Sequence, residues 1–254
     1  MSDDVTVTLS KVPQVTLLFW IVKILATTLG ETGGDMLSMS MNLGYALSTL
    51  IFFLPFIVLV TLQIQASRFF PWLYWAVIVG TTLAGTTMAD FADRSMHVGY
   101  PGGTTILFTL VILSLVVWKI SVGTVSVNNI VTHKAEAFYW ITILFSNTLG
   151  TALGDWTSEG TGFAGGVCLF LGLLAVIALL FYFTKISHTV LFWSAFILTR
   201  PLGATMGDLL TKPHSDGGLN LSRFLASGVI AVVMALMLIF FPQKAGNHPG
   251  EKTT

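Results

Sequence analysis

Asp35, Asp90, Asp155 and Asp208 each stand at the end of an apolar stretch, and Glu31 lies one helical turn before the first of them. Carboxylates in such surroundings are costly, and membrane proteins keep them for ion and proton pathways. With Thr27, Thr82, Thr86, Asn147 and Thr151 they form an all-oxygen set. Hard cations such as Mg, Ca and Mn take oxygen ligands, whereas zinc and copper favour clusters of Cys and His, which this chain lacks. A proton is the second cargo open to the set, because a carboxylate crowded by another binds protons near neutral pH. Glu31, Asp35, Asp90, Asp155 and Asp208 are therefore the expected metal ligands. The competing reading is that each Asp ends its helix and caps the following turn.

One motif delivers these residues four times: an aromatic-Trp pair, then Gly, then Gly or Ala, then Asp, at fixed offsets. It runs from Trp20 to Gly30 and Asp35, from Trp75 to Gly85 and Asp90, from Trp140 to Gly150 and Asp155, and from Trp193 to Gly203 and Asp208. Agreement of the offsets amid differing side chains is the mark of internal duplication. Positions seven, eleven and fifteen after each Trp share one helical face. They read Thr27, Glu31, Asp35; Thr82, Thr86, Asp90; Asn147, Thr151, Asp155; and Arg200, Ala204, Asp208. In hydrocarbon these polar stripes must turn inward towards one another or towards water. Arg200, followed by Pro201, breaks the pattern and is expected to pair with a repeat carboxylate; the alternative is an anion-facing or proton-coupling charge. Lys23 is expected to snorkel to the membrane surface. The Trp residues are expected to anchor at the interface, and the small residues to let helices pack closely. Asp93, Glu159 and Asp216 are expected at an acidic mouth.

The elements that must position these side chains are membrane helices. Of the 254 residues 54% are hydrophobic and 9% charged, whereas soluble domains carry about a quarter charged residues. Apolar runs cover residues 13–35, 43–62, 71–90, 104–120, 137–155, 165–184, 188–208 and 219–241, each near the ~20 residues that span a bilayer. This predicts an all-α polytopic membrane protein with eight transmembrane helices. They form one membrane domain over 1–254, with four tandem two-helix parallel repeats at about 13–65, 68–121, 133–186 and 187–241. Asp3 and Asp4 precede the first helix, which reads as retained and not as a signal peptide. Lys11, Arg68, Lys119, Lys134, Lys185, Lys244 and Lys252 lie on the side of the termini, against Arg94, Lys212 and Arg223 opposite. That bias predicts cytoplasmic termini. His97, His133, His188, His214 and His248 read as surface residues. The single Cys168 excludes an intramolecular disulfide, and the zero formal charge gives no reason to expect nucleic acid.

The fourfold Trp, Gly and Asp pattern resembles a family of bacterial inner-membrane proteins built from four tandem two-helix units, each with a characteristic Trp, and described as a repeat of unknown function. The resemblance covers residues 13–241 and implies a bacterial inner membrane and this topology, with no established activity. Glu31-Thr-Gly-Gly-Asp35 is also similar to the Glu-x-Gly-Asp signature of calcium and manganese exchangers, from which it differs by one added residue and by lacking the following Lys or Arg. The expectation is a proton-coupled secondary transporter or exporter of Mn, Mg or Ca through a carboxylate-lined pathway, with the lipid bilayer, the cation and the proton as partners. The alternative is a membrane scaffold or sensor whose repeats serve packing. No cofactor is expected and no enzyme: H-E-x-x-H, G-x-S-x-G, the phosphate loop and the Rossmann fingerprint are all missing.

Overall fold

Runs of Leu, Ile, Val and Phe of this length leave the helix as the backbone that satisfies its own hydrogen bonds. The computed structural model describes residues 10–130 and 132–246; Asp3, Asp4, His248 and Lys252 lie outside the described residues. Among these residues there are seven helices: α1 (Leu17–Asp35), α2 (Gly44–Gln65), α3 (Pro71–Asp90), α4 (Tyr100–Val122), α5 (His133–Phe183), α6 (His188–Thr211) and α7 (Arg223–Phe240). Thr16 and Thr132 start α1 and α5 by accepting from the backbone N–H of Phe19 and Ala135, and Pro71 opens α3. After α1 and α3 the chain widens into matching π-type turns, Met36–Ser40 and Phe91–Ser95.

The expected count of eight helices is corrected to seven, because the predicted segments 137–155 and 165–184 run on within α5. Gly162 alone leaves helical geometry there, at φ 69° and ψ 167°. A side chain would be strained at that φ. The chain nevertheless folds back at this point. Gly154 and Gly166 would lie ~18 Å apart on a straight helix, yet a Cβ on each would meet α6 at consecutive residues, Ala204 at 3.0 Å and Thr205 at 2.8 Å.

Burial separates the helices into two shells. α1, α3, residues 133–161 of α5, and α6 bury the motif faces. α2, α4, residues 163–183 of α5, and α7 expose rows of Leu, Ile, Val and Phe, such as Leu47, Leu50, Leu54, Ile57 and Val58 on α2. Four helices, α2, α4, α5 and α7, are long and apolar enough to cross a membrane. The architecture is thus all-helical, with an apolar exterior compatible with a membrane protein.

The inner four helices close into a ring, and the motif glycines set its geometry. A Cβ on Gly30 would strike Thr82; on Gly85, the backbone joining Asn147 and Thr148; on Gly150, Arg200 and Pro201; on Gly203, Thr27. Each glycine therefore receives the residue seven after the Trp of the next repeat, and the fourth repeat closes on the first. Hydrogen bonds follow the same cycle: Thr82 Oγ1 donates to Ala26 O at 3.1 Å, Asn147 Nδ2 to Thr81 Oγ1 at 2.7 Å, and Thr27 Oγ1 to Thr199 O at 3.2 Å. Interhelical bonds of this kind contribute about 0.6 kcal/mol each in membrane proteins. The fourth seam, between α5 and α6, lacks its equivalent. Arg200 points elsewhere, and Ser146 Oγ meets no partner.

The Trp residues correct the expectation of interface anchors. Trp75, Trp140 and Trp193 are buried within an aromatic layer that also holds Phe19, Tyr74, Tyr139, Phe192 and Phe196. Tyr74 and Tyr139 share a 2.5 Å hydrogen bond between their hydroxyls. Beneath this layer, Trp75 Nε1 donates to Gln243 Oε1 at 2.8 Å and Trp193 Nε1 to Val125 O at 2.9 Å. Residues 12–14 and 244–246 pair across that end, with an antiparallel bridge at Pro13 and Ala245 and a 2.8 Å bond from Gly246 N to Val12 O. Lys11 fastens the assembly to Glu136 at 2.5 Å. Protein covers the indoles of Trp75, Trp140 and Trp193, while Trp20 is half-buried against the same layer.

Candidate functional site

The residues three, seven, eleven and fifteen after each Trp lie one turn apart along the inner helices, so they stack as four layers along the ring. All sixteen are buried. The first layer is Lys23, Ile78, Ile143 and Phe196. Lys23 does not snorkel to the surface: it is fully buried, its Nζ donating to Asn147 Oδ1 at 3.2 Å and standing 4.2 Å from the centre of the Phe196 ring. Because it points into the ring and away from the exposed face of α1 that carries Leu17 and Ile21, its four-carbon stem has no route to water. The cation–π contact and one amide oxygen take the place of hydration.

In the next layer Thr27, Thr82 and Asn147 tie neighbouring helices, while Arg200 crosses the ring. Its Nη2 reaches Thr151 Oγ1 at 2.6 Å, Thr86 Oγ1 at 2.5 Å and Glu31 Oε2 at 3.3 Å; its Nη1 reaches Thr27 O at 3.2 Å. The guanidinium thus sits among the position-eleven residues of the other three repeats. The fourth repeat has Ala204 at that position, and this leaves room for it. The expectation that Arg200 pairs with a buried acid agrees with this geometry, and the acid is Glu31.

The aspartate layer divides into two pairs. Lys212 lies one turn beyond Asp208 and holds it at 3.0 Å, and it reaches Asp35 on α1 at 2.6 Å; Arg223 adds a 3.5 Å contact to Asp35. On the other side Arg94, one turn beyond Asp90, holds it at 2.8 Å and reaches Asp155 on α5 at 2.9 Å. Each bridging cation therefore joins two repeats. Arg94 and Lys212 belong to this layer, whereas sequence reasoning assigned them only to the far side of the bundle. Their i, i+4 spacing from Asp90 and Asp208 was the available signal.

Three of the five expected metal ligands converge. Glu31, Asp155 and Asp208 each bring one carboxylate oxygen within 4.8 Å of the others, and among the described residues this is the group of at least three acids, His or Cys placed to share an ion. Asp35 and Asp90 stand apart from that group, engaged by the bases just named. Above the triad opens a funnel of about 380 Å³, lined by Asp155, Asp208, Arg94, Lys212, Arg223, Tyr100, Ser158, Glu159 and Asp216 among others. Glu159 and Asp216 thus stand at a mouth, though one of mixed sign. Asp93 does not line it. Its side chain lies in the turn after α3, against Gly103 of α4. There burial first, and the charge of Asp155 second, push its carboxyl up to about 6 against the pull of Arg94.

Chemically the funnel offers the carboxylates of Asp155 and Asp208, on which Glu31 converges from outside the lining, with fixed cations alongside that neutralise much of their charge. Thr27, Thr82, Thr86, Asn147 and Thr151 bond to helices and to Arg200, so their geometry is that of packing. The sequence pattern of the family described as Repeat of Unknown Function (DUF347) matches residues 18–69, 73–124, 138–187 and 191–242, and the chain belongs to that family. No curated protein and no solved structure matches it.

Proposed function

We propose that this member of the DUF347 family is a secondary transporter or exporter of a divalent cation, coupled to protons, with Glu31, Asp155 and Asp208 as the binding site. The observation that carries the reading is the approach of three buried carboxylate oxygens, one from each of three repeats, within 4.8 Å of one another, two of the three residues, Asp155 and Asp208, lining a funnel. Oxygen-only ligation suits Mn, Mg and Ca. Asp35 and Asp90 act from the flanks: a cation entering the triad competes with Lys212 and Arg94 for Asp208 and Asp155, and Asp35 and Asp90 retain those bases. Repeats that cross the bilayer twice give eight crossings, with α5 contributing two on either side of Gly162. The basic residues favour a bacterial inner membrane with the Trp end and both termini in the cytoplasm. The funnel then opens outward.

The second reading, a scaffold or sensor, is favoured by the completeness of the ion pairing, since five acids in the stripes face Arg94, Arg200, Lys212 and Arg223. Purified protein in proteoliposomes separates the two. Uptake of Mn, Mg, Ca and Zn is measured with and without a proton gradient. We expect flux of at least one hard cation, abolished by Asp155→Asn and Asp208→Asn and weakened by Glu31→Gln, with the protein still folded and inserted. Inert wild-type protein would overturn the transporter and leave the scaffold.

A further inference from the structure

The outer wall has a slot at the place where the first and fourth repeats meet. It lies between α2, which packs on α3, and α7, which packs on α1. It holds about 390 Å³ and is lined by apolar side chains and Gly80. On α3 it runs from Trp72 to Leu83, ~16 Å along the helix and so about half of a ~30 Å hydrocarbon core, the depth of one leaflet. Its inner end is shut: a Cβ on Gly33 of α1 would meet Leu83 at 2.8 Å, and Ser227 of α7 bonds Thr32 of α1 at 2.9 Å. Its other end reaches Trp72, which is 53% exposed, an amphipathic ring suited to the level of lipid headgroups.

The slot owes its width to small side chains. Ala76 and Gly80, one and five residues after Trp75, line it from α3. The same positions hold Ile21 and Leu25, Ile141 and Phe145, and Ser194 and Leu198 in the other repeats. Ala231 and Ala235, one turn apart, line it from α7. Spread along ~16 Å, the volume gives a mean section of ~24 Å², ~5 Å across, whereas a helix with its side chains is ~10–12 Å wide. A helix of a second copy is therefore too thick, and a single hydrocarbon chain fits.

Charge at the open end selects the headgroup. Arg68, four residues before Trp72, is exposed, with its guanidinium 4.8 Å from the centre of the Phe70 ring. Lys244, also exposed, follows Gln243, whose Oε1 receives Trp75 Nε1 from the back of the slot at 2.8 Å. Residues 62–76 and 236–246, which bound this end, contain those two bases and no acid. Basic residues at headgroup level attract anionic lipid.

We propose that the slot between α2 and α7 binds one acyl chain of an anionic glycerophospholipid from the leaflet at the Trp end, with the headgroup phosphate beside Arg68 and Lys244. The lipid is then a structural ligand of the seam at which the ring closes. The inference needs the membrane and the fold but no cargo.

Native mass spectrometry of the full chain, released from nanodiscs of equimolar phosphatidylglycerol and phosphatidylcholine, tests it. Wild-type protein is expected to keep one phosphatidylglycerol at collision energies that strip all other lipid, with at least a fivefold preference over phosphatidylcholine. Gly80→Leu supplies the leucine found there in the first and fourth repeats, and Ala235→Leu fills the slot from α7; each is expected to cut retention at least tenfold. Arg68→Gln with Lys244→Gln is expected to keep a lipid and bring the preference to within twofold. Thermal unfolding of each variant shows that the protein measured is folded. Retention unchanged in both leucine variants would overturn the site, and equal retention of the two lipids by wild type would overturn the anionic headgroup. A wild-type dimer without lipid, lost in the leucine variants, would give the slot to a second copy. Because no cation enters the measurement, a protein inert in the flux assay leaves the lipid site standing, and loss of the lipid site leaves the transporter standing.

Discussion

The Trp end and the Asp end of the ring come from the same four copies of one motif, and they cohere by opposite means. At the Trp end, rings pack on rings: Phe19 lies 5.6 Å from Trp75, Tyr74 5.5 Å from Trp140, and Trp118 5.8 Å from Trp193, centre to centre. The terminal segments cover them, and Tyr74 and Tyr139 satisfy each other. At the Asp end, four aspartates are held by three bases around a funnel, and several oxygens go unsatisfied. Aromatic packing tolerates small displacements because dispersion and area burial are not directional. Carboxylate pairs do not, because each lost partner leaves a desolvated charge. The motif thus supplies one end held by packed rings and one end held by ion pairs.

The contrast is broken most severely at the layer between the ends. Arg200→Met leaves Glu31 buried without its guanidinium, and losing one partner of a buried pair costs about 3–5 kcal/mol. We expect little folded protein by size-exclusion chromatography, and a substantial recovery on adding Glu31→Gln. A double mutant no better than the single would show that Arg200 acts through Thr86 and Thr151 and not through Glu31. Gly203→Ala comes next. Its Cβ would meet the Thr27 side chain and, at 2.8 Å, the Thr27 backbone; overpacking of this kind costs about 1–3 kcal/mol, read as a lower melting temperature.

Two smaller changes sharpen the comparison. Tyr74→Phe removes the hydroxyl pair but keeps the ring, so the loss is about 1 kcal/mol with flux unchanged. A larger fall in flux than in stability would mean that the Trp end is part of the transport path. Asp93→Asn acts in the other direction. Its carboxyl stands at about 6 against a usual 3.8, so the folded protein binds that proton more tightly than the unfolded chain, and stability falls as pH rises through this window. Asparagine removes that penalty. A gain of about 2 °C in melting temperature is expected at pH 7.5, and none at pH 4. Asp155 and Arg94 face the same group, so Asp155→Asn should lessen the gain.

Much of this was legible in the sequence because spacing fixes a helical face. The four motifs foretold the four equivalent helices, the inward stripes and the Arg200 pair. Lys23 was misjudged because a single lysine in an apolar run looks the same whether lipid or protein surrounds it; only knowing that α1 is an inner helix decides. The Trp residues failed for the same reason. Asp35 and Asp90 could not be told from Asp155 and Asp208, since what separates them is the approach of the latter two to Glu31, and that is a matter of tertiary contact. The join of two predicted helices across Gly162 depends on one residue's backbone angles, which composition does not specify.

Residues 12–14 lie bonded to residues 244–246, and every seam of the ring except that at Arg200 repeats the bonding of the others. The chain therefore has no obligatory first unit. Joining its ends and reopening it at residues 184–187, between the third and fourth repeats, would carry a whole out-and-back hairpin from the rear of the gene to the front without reversing any helix. Such a circular permutant should close the same ring, which makes the order of synthesis a matter of ancestry and not of packing.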